Sequence, residues 1–399
     1  MKNKLWTKDF SLLFSGALVS GLGSYATSVA LGFFLLDLTG STSLMATLLS
    51  IDFLVFALVL PFGGLFADFF QRNKLMFFAD IIRGVVVLLF AFLVFRNIVP
   101  IWFVVITVIF IGSGRGLMNP TVNSYTPDIV KKNNLRRANS FMMLSDSASS
   151  IFGRGIGGFL LQTFGAPLLF FFDGLTYLFS GISELFISEK RAKKKINPKK
   201  SFSMIAQGFS YLLKHRSALL FVIFAGVSNL FNAVAAITFI PFFDSYFSAS
   251  FYGLFLAFFG IAYIVGTFIA SYIPKKYSKS SFIFSISFWP LAAGAAFFFH
   301  SFISISLIYA IAGLFNGISN NFLRSIFQVL GPKELRARVN ASAMLFIRIS
   351  WPVGIFIGGL LSSVFSFAFV IAGSYFVGAF VTILFILFTS MVSVLKVLD

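Results

Sequence analysis

Seven charged side chains sit where charge is costly. Asp52, Asp146 and Asp173, with Arg115, Arg154, Arg324 and Arg348, fall inside long, otherwise apolar runs. A charge at the centre of a membrane helix costs at least about 2.5–3.5 kcal/mol unless it is paired or wet. A buried carboxylate can take and release a proton, which makes Asp52, Asp146 and Asp173 the proton-coupling candidates. A guanidinium keeps its charge at any accessible pH, so Arg115, Arg154, Arg348 and Arg324 are candidates to hold an anionic substrate or relay charge. By helical rise, Arg115 and Asp146 both lie roughly 13–15 Å from the cytoplasmic ends of their runs, and Arg154, Asp173 and Asp52 roughly 22–25 Å. The depths allow an Arg115–Asp146 pair and an Arg154 pair with Asp173 or Asp52. These pairs are either structural ties or parts of a proton path. Arg324 is expected to snorkel to the cytoplasmic interface. Arg348, about 16 Å deep, is expected to face a cavity. Asp80 and Arg83, three apart, read as a local pair at the inner end of their run.

Other chemistries find no constellation. Cysteine is absent, and His215 and His300 lie far apart in or near loops, which disfavours a soft-metal site. Serine is plentiful, but no histidine within an apolar run could activate it, so the chain reads as neither an enzyme nor a cofactor binder. Gly153, Gly155 and Gly158 spell a G-x-G-x-x-G with Asp173 twenty residues on. No strand precedes it, so the run reads as small residues that let helices approach closely, not as a dinucleotide site.

The elements that must position these groups follow from composition. Of 399 residues, 58% are hydrophobic and 11% charged, with 59 Phe. A soluble core cannot bury that much apolar surface, so an all-α polytopic membrane protein remains. About 20 apolar residues cross about 30 Å of hydrocarbon. Twelve such runs are present, near 10–36, 44–67, 75–95, 100–124, 138–163, 167–188, 218–243, 251–273, 281–300, 303–327, 338–363 and 366–394. The first reads as a retained span, not a leader. Of 31 Lys and Arg, 25 fall on the termini and even-numbered connections, and only Arg96 on an odd one. That bias predicts both termini in the cytoplasm. It also explains the +18 net charge without nucleic acid. The basic connection 190–217 separates an N-terminal bundle, 1–189, from a C-terminal bundle, 218–399. Helical spacing over Phe202–Leu213 predicts a helix lying on the membrane surface.

The halves repeat. A shift of 201 superimposes Gly112 on Gly313, Gly116 on Gly317, Asn119 on Asn320, Arg137 on Arg338, Gly153 on Gly354 and Gly157 on Gly358. Six spans per half make the repeat parallel, the plan of major facilitator transporters.

The motifs carry the same resemblance. Gly64-Leu65-Phe66-Ala67-Asp68 with Arg72 resembles the superfamily's signature loop after its second span. The resemblance implies that Gly64, Asp68 and Arg72 belong to a cytoplasmic gate. Asn119-Pro120, Thr126-Pro127-Asp128, Arg137-Ala138-Asn139-Ser140, Ser250-Phe251-Tyr252-Gly253 and Glu334-Leu335-Arg336-Ala337-Arg338 resemble the macrolide-efflux and enterobactin-exporter branch. Where drug exporters of the superfamily carry Pro in a fifth-span glycine motif, this chain has Arg154. The resemblance implies a monomeric bacterial plasma-membrane exporter of a small amphipathic compound, coupled to protons and working by alternating access. Within the runs, once Asp80 and Arg83 are set aside, arginines outnumber the deep acids. An anionic or zwitterionic substrate such as a siderophore is therefore favoured over a macrolide or multidrug substrate. A lysolipid translocase is the remaining alternative.

Overall fold

The computed structural model describes residues 5–188, 198–332 and 335–388. Lys190–Lys195 of the basic linker, Lys333, Glu334 and Lys396 lie outside the described residues, as do Lys2 and Lys4. Thirteen α-helices form among them: α1 (Lys8–Thr39), α2 (Thr42–Phe69), α3 (Arg72–Phe95), α4 (Ile101–Ile129), α5 (Leu135–Phe164), α6 (Ala166–Leu185), α7 (Pro198–Lys214), α8 (Arg216–Tyr246), α9 (Ala249–Ala270), α10 (Lys275–Ala295), α11 (Phe302–Val329), α12 (Arg336–Ser362) and α13 (Phe367–Phe388). No strand is present among the described residues.

Except for α7, every helix is at least 20 residues long, and these twelve overlie the twelve expected runs. Eleven are apolar enough to cross a membrane. The exception, α5, carries Arg136, Arg137, Asp146 and Arg154 among Ser and Asn residues, which dilute its hydropathy. Helix ends follow local chemistry. Thr7 caps α1, its hydroxyl accepting from the Phe10 N–H at 3.3 Å. Gly40 closes the same helix at φ 59°, a left-handed conformation that glycine adopts without a Cβ clash. The amphipathic α7 begins at Pro198 and extends the expected Phe202–Leu213 helix at both ends.

By packing, the described residues form two compact units. The first comprises residues within Met1–Gly40, Ile51–Pro198 and Ser248–Leu254, and the second those within Ser41–Ser50, Lys199–Phe247 and Phe255–Asp399. In the first, α5 lies on α1 through glycine. A Cβ at Gly157 would stand 2.6 Å from Ala26 Cα, and one at Gly153 2.9 Å from Leu22 O. In the second, the equivalent residues press α12 on α8: a Cβ at Gly354 would meet Leu230 O at 2.3 Å, and one at Gly358 Val234 O at 2.8 Å. The glycine run is thus helix packing in both repeats. The second unit also holds an aromatic core. Phe255 stacks on Tyr309 with centroids 4.4 Å apart, and Tyr309 shares a 2.8 Å hydrogen bond with Tyr375. Helix α7 caps this unit at one end. Its Gly208 lies against Arg338 O and Ser342, Gln207 accepts from Arg338, and Leu212 is buried.

Candidate functional site

In the first unit, α4 packs on α2 through Gly112 and Gly116. A Cβ at Gly112 would stand 2.4 Å from Asp52 O. That packing turns the Arg115 face of α4 toward α2. Arg115 Nη2 donates to Asp52 Oδ2 at 2.7 Å, and its guanidinium lies 5.0 Å from the Phe53 ring centroid and 5.1 Å from that of Phe56. The expected Arg115–Asp146 pair is therefore replaced by Arg115–Asp52: equal depth allowed the first, but helix rotation selects the second. The Asp52 side chain is 9% exposed and that of Arg115 34%, so one member of the pair is sealed and the other reachable.

Asp146 instead accepts from the Tyr25 hydroxyl of α1 at 3.0 Å. Arg154, two turns along α5, lies 5.0 Å from the centroid of the same Tyr25 ring. The expected pairing of Arg154 with Asp173 or Asp52 is not formed. Asp173 is buried on α6, where its Oδ1 accepts from Thr176 at 3.4 Å.

A second buried charge cluster lies between α3 and α6. Asp80 and Arg83 form an ion pair, as their spacing suggested, but both are buried in the bundle rather than placed at an interface. Gly114 of α4 makes the room, since a Cβ there would stand 2.0 Å from Arg83 Cδ. Arg83 lies 4.3 Å from the Tyr177 ring centroid, and the Tyr177 hydroxyl shares a 2.8 Å hydrogen bond with Ser24. Glu184, 2% exposed, accepts from Ser180 at 3.4 Å. Sequence reasoning missed Glu184, although a glutamate inside an apolar run was a legible signal. Asp52 Oδ1, Asp80 Oδ2, Asp173 Oδ2 and Glu184 Oε2 are buried with no hydrogen-bond donor.

The signature loop forms a tie within the first unit. Arg72 donates to Asp128 and to Ser124 O, each at 2.5 Å, and to Ala67 O at 3.1 Å. Asp68 lies 3.5 Å from the same guanidinium. Close packing falls on Gly63, whose Cβ would stand 2.4 Å from Gly116 O, while a Cβ at Gly64 would meet open space.

The second unit lines an open cavity of about 270 Å³ between α8, α10, α11, α12 and α13. Trp289, Phe224 and Phe327 supply apolar walls, and Asn229, Asn232, Asn316 and Asn320 supply amides. Arg324 is the one charged side chain among its lining residues. Asn320 Nδ2 donates to Asn316 Oδ1 at 2.7 Å, and Asn229 Nδ2 donates to Ile347 O at 2.9 Å and Ser350 Oγ at 3.2 Å. Arg324, expected to snorkel to the cytoplasmic interface, borders this cavity and is exposed. Arg348 is exposed on α12 and does not line it. Of the four asparagines, only Asn320 had stood out, as the repeat partner of Asn119. Among the described residues no group of His, Cys, Asp and Glu could hold a metal ion.

Comparison with known proteins agrees with this architecture. Residues 13–341 match the family described as the Major Facilitator Superfamily. The Uncharacterized MFS-type transporter YkuC of Bacillus subtilis (strain 168) is 30% identical over 224 residues, 52% of this chain and 50% of the relative. Macrolide efflux protein A of Streptococcus pyogenes is 24% identical over 178 residues, 45% of this chain and 44% of that protein. The chain thus spans about half the length of these curated relatives, or less. The crystal structure of a POT family transporter in complex with 5-aminolevulinic acid superposes with a TM-score of 0.75 at 12% identity, covering 96% of each chain.

Proposed function

The chain belongs to the major facilitator superfamily, and on that premise we propose that it is a secondary active transporter exporting a small amphipathic compound. It works by alternating access and is driven by protons. It sits in a bacterial plasma membrane with both termini in the cytoplasm, and its bundles span 1–189 and 218–399, joined by the linker 190–217. The observation that carries the reading is the Asp52–Arg115 pair between α2 and α4. Neutralising an intramembrane charge costs an ion partner or water, so a carboxylate kept there and tied to a reachable guanidinium suits proton exchange linked to anion binding. Similarity to a macrolide efflux protein supports the outward direction. The arginine excess and a cavity lined by Arg324 without an acid support an anionic or zwitterionic substrate, such as a siderophore, over a cation.

Proteoliposomes test this. Under an imposed pH gradient, purified protein should move a carboxylate siderophore in preference to a lipophilic cation or a lysolipid. Preferred movement of the cation would replace this reading with multidrug efflux, and preferred movement of the lysolipid would replace it with lipid translocation.

A further inference from the structure

Helices α4 and α11 carry matching polar ladders with the charge at opposite ends. Positions 115, 119 and 123 of α4 read Arg, Asn, Asn; positions 316, 320 and 324 of α11, each 201 residues on, read Asn, Asn, Arg. Spacing by four puts each ladder on one helical face. In α4 the arginine has its own counter-ion, Asp52 at 2.7 Å. The residue 201 positions beyond Asp52 is Gly253, and no carboxylate lines the cavity that Arg324 borders. A guanidinium that keeps its charge beside a cavity walled by neutral amides and aromatic rings is built to receive an anion.

The amides add a second requirement. Asn316 has its oxygen occupied by Asn320, which leaves the Asn316 NH₂ to donate. Asn229 has its NH₂ committed to Ile347 O and Ser350 Oγ, which leaves its Oδ1 to accept. Ser228 Oγ, on the same wall, is buried without a partner. A cation, a donor and an acceptor around an apolar floor match a carboxylate beside a secondary amide on an aromatic or aliphatic body. A volume of about 270 Å³ admits a small molecule. All lining residues belong to the second unit.

We propose that this cavity binds an N-acylated amino acid or a similar amide-bearing carboxylate, with the carboxylate on Arg324, the amide between Asn316 and Asn229, and the side chain against Trp289. The proposal rests on the export reading for the ligand's being cargo and on the cavity alone for its chemistry.

The test is equilibrium binding of N-acetyl-L-phenylalanine and of its methyl ester to purified full-length protein in nanodiscs. The acid should bind, and the ester, which keeps the shape and loses the charge, should bind about tenfold or more weaker, as expected when a hydrogen bond to a charged group is lost. Arg324→Gln should bring the two to equal, weak affinity. Asn316→Leu should weaken both together. Lys275→Gln, a change of exposed charge elsewhere in the unit, should leave the ratio as it was. If Arg324→Gln does not fold, the acid-to-ester ratio on the unaltered protein and the Asn316→Leu response still decide. An ester bound as tightly as the acid, an unchanged ratio in Arg324→Gln, or no saturable binding of the acid would each overturn the proposal. Proton-driven siderophore flux without acid binding would overturn the cavity chemistry and leave export standing. Acid binding without any proton-driven flux would overturn export and leave the cavity standing.

Discussion

Arg115 illustrates how a single side chain changes meaning with its partner. Alone in a span it calls for an anion; beside Asp52 at 2.7 Å it is half of an ion pair. If that pair exchanges the coupling proton, Asp52→Asn should abolish pH-driven transport in proteoliposomes while substrate binding persists. Should Asp52→Asn and Asp146→Asn each retain full proton-driven flux, coupling resides in neither. Arg83 gives a stability test at the same scale. It is buried against Asp80, with Glu184 and Asp173 nearby on α6. Arg83→Met would leave Asp80 buried without its cation, so unfolding in a denaturant titration should become easier by about 3–5 kcal/mol. Asp68→Asn should cost much less, because Arg72 keeps Asp128 and two carbonyl acceptors.

Helix pairs are governed by where glycine lets backbones meet. A Cβ at Gly317 of α11 would stand 2.1 Å from Tyr263 O of α9, and one at Gly266 of α9 would stand 1.9 Å from Leu314 O. Both obstacles are backbone, so neither can turn aside. Gly317→Ala must push α9 and α11 apart and should lower stability by about 1–3 kcal/mol, seen as a lower melting temperature in detergent. Gly373→Ala, with nothing within 4 Å of its added Cβ, should leave the melting temperature unchanged. Equal effects from the two substitutions would contradict this packing account.

At the scale of the molecule, charge distribution predicts orientation. The connection after α3 carries Arg96 alone, whereas the connection between α4 and α5, with the first turn of α5, carries Lys131, Lys132, Arg136 and Arg137. The chain has no cysteine, so single cysteines report position without background. In intact cells, Asn97→Cys should react with a membrane-impermeant maleimide, and Lys132→Cys should react only after the membrane is opened. The reverse pattern would invert the topology and, with it, the direction assigned to transport.

The helices were legible in the sequence because the bilayer imposes its rule one span at a time. Run length, loop charge and the 201-residue repeat are each readable along the chain, and the resemblance of the signature loop to the major facilitator superfamily was legible on the same terms. Even α5, the most polar of the twelve, was read along the chain as the run 138–163. Partnership was not legible. Depth along the membrane normal is estimated from residue number, which made Arg115 and Asp146 read as level. Whether two level groups meet depends on how each helix is rotated about its axis. Gly112 and Gly116 set that rotation by pressing α4 onto α2, and the arginine went to Asp52. The same packing around Gly114 drew Asp80 and Arg83 into the bundle. The cavity at Arg324 likewise required five helices to converge before four asparagines, scattered from 229 to 320, became one surface.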